Sequence, residues 1–187
     1  MNELLQSPYM PWSAGVLLLL FLWLLYRVVR GRRSKLEHVL GEIAFERVHD
    51  LVIPNGDDGE ILIDQLLLTS QGLLILEVKD VDGAVFGSDK MSDWTVIAAE
   101  RRYTFPNPQH ALYDRIAAVR EIVRQVPVAG RVLFLDGAEF KKGMPGLVAT
   151  LDQLLDEFGE KNEKAAQVSI EAFMPHWEQI SRRANAE

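Results

Sequence analysis

Two carboxylates and a lysine stand inside apolar segments near the middle of the chain. Asp64 interrupts the run Ile61–Leu68, and Glu77 and Lys79 interrupt the run Leu73–Lys79. A charge inside an apolar strand is costly unless it is paired or binds a metal ion. These three side chains are therefore the first candidates for chemistry, and their types suit cation binding and the activation of water.

The spacing of these residues predicts how they face one another. The two apolar runs read as strands of a hairpin, separated by a short turn. If the turn is centred between Ser70 and Gln71, Asp64 lies directly opposite Glu77, with the two Cβ atoms about 5 Å apart. Lys79 then projects from the same face as Glu77, one period-two step along the strand. A slip of one residue would move Asp64 to the other face.

Two facing carboxylates repel each other unless a cation lies between them or one of them keeps its proton. Mg²⁺ typically binds one or two carboxylates together with waters and substrate phosphate oxygens. Asp64 and Glu77 could thus bind Mg²⁺ or Mn²⁺, while Lys79 orients or deprotonates the attacking water and stabilises phosphate charge. The structural alternative is a charge cluster at the end of the hairpin, in which Lys79 pairs with one carboxylate. The residues themselves leave both interpretations open.

The surrounding pattern predicts an α/β domain. Strands that are apolar on both faces belong in a sheet that is covered on both sides. Helices on either side of the strands then give a mixed sheet flanked by helices, followed by a peripheral helical tail. Further strands are predicted at Ala84–Phe86, Trp94–Ala98, Arg101–Phe105 and Arg131–Leu135, and helices at Ser34–Asp50, Gln109–Val126 and Leu147–Phe158.

The amino-terminal part has a different character. Met10 to Tyr26 contains no charged residue, and residues 10–29 reach the length of about 20 residues that a membrane-spanning helix needs. Basic residues follow and only Glu3 precedes, which predicts a single-pass helix with the N-terminus outside and a cytoplasmic domain behind it. The alternative is a buried core helix. The basic collar is expected to contact anionic lipid, and consists of Arg27, Arg30, Arg32, Arg33 and Lys35.

Composition excludes several classes of protein. The 187 residues include no cysteine, so a disulfide framework, a thiolate nucleophile and a Cys-ligated zinc site are all excluded. Residues 36–187 carry 15 basic and 26 acidic side chains, a balance of −11. Such a domain binds nucleic acid poorly without a local basic patch, because phosphate contacts need Lys and Arg. The candidates for that patch are Arg101, Arg102, Arg120 and Arg124.

A set of short motifs in this order resembles the NERD (nuclease-related) domain, a family assigned to the PD-(D/E)xK nuclease-like superfamily. The resemblance covers roughly Leu36 to Phe140, and it implies a restriction-endonuclease-like mixed sheet. An amino-terminal membrane helix also occurs in that family. The motifs are Gly41-Glu42, Ile63-Asp64, Glu77-Val78-Lys79, Asp82-Gly83, Trp94 and Asn107-Pro108.

The resemblance implies a role for each candidate residue of the metal site. Asp64 and Glu77 would be metal ligands, and the backbone carbonyl of Val78 would be a further ligand. Lys79 would be the catalytic lysine. Glu42, on the first helix, would complete the metal or water shell, although its spacing alone favours a solvated helix charge.

One position departs from the family pattern. The family usually has a Gln three residues after the proline of Asn-Pro, and Ala111 stands there. Gln109 and His110 lie nearby, and Gln109 is predicted, with Arg101 and Arg102, to contact substrate.

The predicted function is hydrolysis of phosphodiester bonds in nucleic acid, DNA ahead of RNA, with Mg²⁺ or Mn²⁺ as cofactor. The alternative is a non-catalytic interaction module of the same fold, tethered to the membrane. The predicted organisation is a short segment at 1–9, a transmembrane helix at 10–29, a basic collar at 30–35, a nuclease-like domain at 36–140 and a helical extension at 141–187.

Overall fold

The computed structural model describes residues 10–55, 59–99, 101–159 and 163–184. The segment predicted at 1–9 lies outside the described residues. The chain divides into two compact units, residues 1–37 and 38–187. The helices are α1 (Met10–Ile43), α2 (Pro108–Ile122), α3 (Leu151–Phe158) and α4 (Glu163–Ala184), and the strands are β1 (Glu46–Asn55), β2 (Gly59–Thr69), β3 (Gly72–Lys79), β4 (Gly83–Phe86), β5 (Asp93–Ala98), β6 (Arg101–Pro106), β7 (Val128–Phe134), β8 (Ala138–Phe140) and β9 (Val148–Ala149).

The first unit consists of most of α1. This helix is continuous from Met10 to Ile43, so it runs without a break through the basic collar at 30–35. No helix within the described ranges combines the length and the apolar character that crossing a membrane requires. The structure therefore does not support the transmembrane helix predicted at 10–29. Nor does a helix begin at Ser34, where the sequence predicted one.

The secondary structure at the start of the second unit differs from the prediction. The helix predicted to reach Asp50 ends at Ile43, and β1 starts at Glu46. The amide of Phe45 donates to the carbonyl of Leu68 on β2, at 2.8 Å, and antiparallel pairing continues from there. Leu51 and Ile53 on β1 are fully buried. Pairing with β2 and this burial outweigh the helical spacing, because tertiary contacts override a weak local preference.

The strands form two mixed sheets where one was predicted. The first has the order β1-β2-β3-β7-β9, antiparallel from β1 to β3 and parallel from β3 to β9. The second has the order β6-β5-β4-β8, with β4 and β8 parallel. The prediction of an α/β fold with mixed strand pairing and flanking helices is confirmed, whereas the prediction of a single sheet is not.

One core connects α2, α4 and both sheets. Leu112 and Ile116 of α2 lie over Gly130 of β7, where a Cβ atom would come within 3 Å of both side chains. The glycine therefore lets the helix approach the sheet closely. Trp94 of the second sheet stacks on Phe134 of the first, with ring centroids 6.2 Å apart. The same core receives Ile170, Trp177 and Ile180 from α4.

Candidate functional site

The central hairpin has the predicted register, but its ladder is short. Pairing of β2 with β3 runs from the turn out to Gln65 opposite Leu76. The next pair in this register would be Asp64 with Glu77, and the ladder ends before it. The two side chains also differ in environment, since Asp64 is exposed and Glu77 is only 7% exposed. The facing pair of carboxylates is thus not part of the observed ladder.

An irregularity in β1 and β2 accompanies the end of this ladder. The β1–β2 ladder omits Asp50 and Asp64, although the pairs on either side of them keep one register. Asp50 has a φ of 51°, in the left-handed region that few residues other than glycine, asparagine and aspartate adopt. On β2, Leu66 and Ile63 enter the same core although they are three residues apart. A regular strand would point them to opposite faces, so the side-chain alternation changes between them, next to Asp64.

The carboxylate of Glu77 is held by two cations. Its Oε1 lies 2.7 Å from Nζ of Lys79, and its Oε2 lies 3.0 Å from a terminal guanidinium nitrogen of Arg115. The side chains of Lys79 and Arg115 are 32% and 19% exposed, respectively. The structure therefore brings Glu77 and Lys79 together, as predicted from their spacing, and adds an arginine that the sequence analysis did not identify.

Arg115 connects helix α2 to both strands of the hairpin. Besides its bond to Glu77, its Nε donates to the carbonyl of Leu62 on β2, at 2.8 Å. Arg115 follows Ala111 by four residues, and residues at that spacing share a helix face. Arg115, the residue of α2 that contacts Glu77, therefore lies one turn after Ala111, the position where the family pattern has glutamine. Ala111 and Arg115 line a small cleft, whose other lining residues are Glu60, Ile61, Leu62 and Asp114.

The backbone of β3 is open on one side at this point. The Leu73 amide donates to Pro127 and the Lys79 carbonyl accepts from Leu135, so both face the β7 edge. Peptide groups of successive residues in a strand point to alternate edges. Those of Val78 therefore point toward the β2 edge, where the ladder has already ended. The Val78 carbonyl therefore points to the side of the sheet on which β2 and β3 are no longer paired.

The residues present fit a divalent ion in chemical type. Asp64, Glu77 and the Val78 carbonyl offer the oxygen ligands that Mg²⁺ and Mn²⁺ prefer. In the described part of the chain, no three His, Cys, Asp or Glu side chains cluster closely enough to hold a metal. Both oxygens of Glu77 also have cationic partners. A metal ion at Glu77 would therefore share or compete for this carboxylate with Lys79 and Arg115.

Other predicted site residues lie apart from this cluster. Glu42 is exposed near the end of α1, and the described partners of Glu77 are Lys79 and Arg115 alone. Arg101 and Arg102 are exposed at the start of β6, the edge strand of the second sheet.

The prediction that Gln109 contacts substrate disagrees with its environment. This residue is 2% exposed, and its Oε1 accepts from the amide of Leu147 at 2.9 Å. Its Nε2 lies 3.4 Å from Oδ1 of Asn107. Asn107 caps α2 and also donates to the carbonyl of Met91, at 2.9 Å. Asn107 and Gln109 thus hold neighbouring loops to the start of α2, and Gln109 is not accessible to a ligand in this conformation.

Comparison with known proteins gives three findings. The profile of the NERD family, described as "Nuclease-related domain", matches residues 33–135, just over half of the chain. An uncharacterized protein of Bacillus anthracis, pXO1-01, is 30% identical over 63 residues, which cover 34% of this chain and 30% of that relative. The chain therefore spans less than a third of that relative's length. No solved structure gives a significant match.

Proposed function

Because the chain belongs to the NERD, nuclease-related domain, family, we propose that it hydrolyses phosphodiester bonds of nucleic acid with the help of a divalent metal ion. The observation that carries the proposal is the buried carboxylate of Glu77, with Lys79 beside it at the open edge of β3. A carboxylate next to an ammonium group at a strand end brings together a possible metal ligand and a group that can orient water or stabilise phosphate charge.

In this proposal Asp64, Glu77 and the carbonyl of Val78 hold Mg²⁺ or Mn²⁺. Such an ion, when bound, polarises a phosphoryl oxygen and lowers the pKa of water. The exposed position of Asp64 leaves it accessible to solvent, and the carbonyl of Val78 lies beyond the last paired residues of the hairpin, on the β2 side. Glu42, an exposed residue near the end of α1, is the proposed assisting carboxylate.

Lys79 is the proposed catalytic base or charge-stabilising group. Its ammonium group contacts Glu77, and a third of the side chain is exposed, so it can reach a substrate from the solvent side. Near an attacked phosphate it would orient the water and stabilise the negative charge that develops on the phosphate oxygens.

The proposed substrate is DNA ahead of RNA. The acidic balance of −11 over residues 36–187 requires a local basic surface. Arg101 and Arg102 are the candidates, since both side chains are exposed on an edge strand.

A cleavage assay tests the proposal. The purified chain is incubated with end-labelled single- and double-stranded DNA and RNA in the presence of Mn²⁺, Mg²⁺ or EDTA. We expect metal-dependent cleavage that falls by about 100-fold or more in Lys79→Met, the usual scale for loss of an acid–base group. Glu77→Gln should lose cleavage to a similar extent.

The chain offers a matched control for these variants. Glu139 and Lys141 repeat the Glu-x-Lys spacing and also form an ion pair, but both are exposed. Lys141→Met should cleave like wild type. Cleavage that persists unchanged in Lys79→Met and Glu77→Gln would refute the assigned centre, and no cleavage of any substrate with either metal would refute the enzymatic proposal.

The second candidate function is a non-catalytic module that binds nucleic acid or protein. It is favoured by the engagement of both Glu77 oxygens with side-chain cations, which gives the centre the properties of a structural ion cluster. Fluorescence anisotropy of labelled oligonucleotides separates the two functions. A module would bind without cleavage, and its affinity would not respond to Mn²⁺ or to Lys79→Met.

The location of the protein stays a prediction from the sequence. The basic collar at 30–35 and the apolar run before it predicted contact with a lipid bilayer and a cytoplasmic domain. Separation of cell membranes from the soluble fraction tests this prediction, with protease accessibility of residues 36–187 as the measure of orientation.

A further inference from the structure

The Glu77 cluster has more positive charge than its single carboxylate needs. One buried acid receives a bond from Lys79 and a bond from Arg115, so the three side chains together carry a net charge of +1. A divalent cation approaching Glu77 meets this charge at short range. Like charges a few ångströms apart in a partly buried site repel strongly.

The two cations of the cluster are not equivalent. Lys79 lies on the same strand as Glu77, two residues away, and any movement of β3 carries both. Arg115 comes from α2, and its Nε has a second partner in the carbonyl of Leu62. The guanidinium of Arg115 therefore has a backbone partner that does not depend on Glu77.

The cleft beside Arg115 offers the guanidinium another position. Glu60 and Asp114 both line this cleft, and both are exposed. Ala111, one turn before Arg115, contributes only a methyl group to the wall. A guanidinium that leaves Glu77 thus has two other carboxylates, Glu60 and Asp114, in the same cleft as alternative partners.

We propose that Arg115 is an internal competitor of the divalent cation, which closes the Glu77 carboxylate in the metal-free protein and must leave Oε2 before the ion binds. The inference rests on the metal site of the proposed function, and makes Arg115 a positioning residue that sets cation affinity. The protein then has two states of the same carboxylate, one paired with Arg115 and one paired with the metal. Its affinity for metal is lower than the ligands alone would give, because the closed state has to be opened first.

Mn²⁺ binding to the full chain tests this inference without any need for activity. Free Mn²⁺ is counted by its electron paramagnetic resonance signal during a titration. We expect Arg115→Gln to bind Mn²⁺ at least about tenfold more tightly than wild type, since a competing positive charge is removed. Arg115→Lys keeps the charge, and its affinity should stay within about threefold of wild type.

Arg131→Gln is the matched control. Arg131 of β7 pairs with Glu157 of α3, and the side chain of Arg131 is 20% exposed, close to the 19% of Arg115. Arg131 is paired with Leu76, and Glu77 is paired with Val132. Because successive side chains of a strand point to opposite faces, Arg131 lies on the face of the sheet opposite to the one where Arg115 contacts Glu77. This variant should bind Mn²⁺ like wild type even though it also loses an ion pair.

A second variant covers the case in which Arg115→Gln does not fold. Asp114→Asn keeps the Glu77 cluster but removes one acceptor for the displaced guanidinium, so it should weaken Mn²⁺ binding by about threefold or more. Affinity equal to wild type in either variant overturns the inference and leaves the proposed function intact. Absence of Mn²⁺ binding in every variant overturns both, and tighter binding by Arg115→Gln without cleavage by wild type supports the inference while refuting catalysis.

Discussion

Replacing Glu77 by glutamine should destabilise the domain substantially. The substitution keeps the size of the side chain and removes the negative charge that Lys79 and Arg115 share at 2.7 and 3.0 Å. Removing one partner of a buried ion pair costs about 3–5 kcal/mol. Because the two cations are 32% and 19% exposed and can regain water, that figure must be reduced. We expect a loss of about 2–3 kcal/mol in the free energy of unfolding.

Urea denaturation at constant pH, without metal, measures this loss as a shift in midpoint at unchanged slope. A double-mutant cycle with Arg115→Gln isolates the pair, and we expect a coupling energy of about 1–2 kcal/mol. Glu139→Gln, which removes an exposed ion pair with Lys141, should leave the midpoint unchanged. A loss for Glu77→Gln below about 0.5 kcal/mol, or additive effects in the cycle, would refute the view that Glu77 and Arg115 form a buried pair.

Three further substitutions test how the fold positions the site. Gln109→Ala should lower stability by about 1–3 kcal/mol, because the Leu147 amide loses its partner, and should leave nucleic-acid affinity unchanged; a selective loss of affinity would restore its predicted role in substrate binding. Gly130→Val should cost about 1–3 kcal/mol, measured by thermal unfolding, because the added Cβ would lie 2.7 Å from Cδ1 of Ile116; an unchanged melting temperature would show that α2 does not pack closely on β7. Thr150→Ala should cost about 1 kcal/mol through loss of the capping box that starts α3; restoration of that stability by Thr150→Ser, but not by Thr150→Val, would attribute the loss to the hydroxyl group.

Features with a local physical cause were predicted well. The hairpin register follows from the turn and from two apolar strands. Gln65 lies opposite Leu76, as a turn centred between Ser70 and Gln71 requires. The paired Glu77 and Lys79 follow from period-two spacing on one strand. Helix α2 begins at Pro108, one residue before the predicted Gln109, because Asn107 caps it and proline suits the first helical position.

Features that depend on distant contacts were not predicted. Val48 continues a helical stripe in the sequence, but lies in a strand because β2 is available to pair with it. The end of the ladder at Asp64 accompanies an irregular backbone at Asp50 on the neighbouring strand, which the sequence of the hairpin alone does not show. Arg115 is 38 residues from Glu77, and only the packing of α2 over the sheet brings them together. Its position one turn after Ala111 was the available signal.

Diffraction from a crystal soaked in Mn²⁺ tests the central claim most directly, because the anomalous signal locates the ion. We expect an anomalous peak about 2.0–2.2 Å from carboxylate oxygens of both Asp64 and Glu77. The Arg115 guanidinium should have moved from Oε2 of Glu77 toward Glu60 or Asp114. A crystal saturated with Mn²⁺ that shows no peak there, and in which Glu77 still contacts both Lys79 and Arg115, would contradict it.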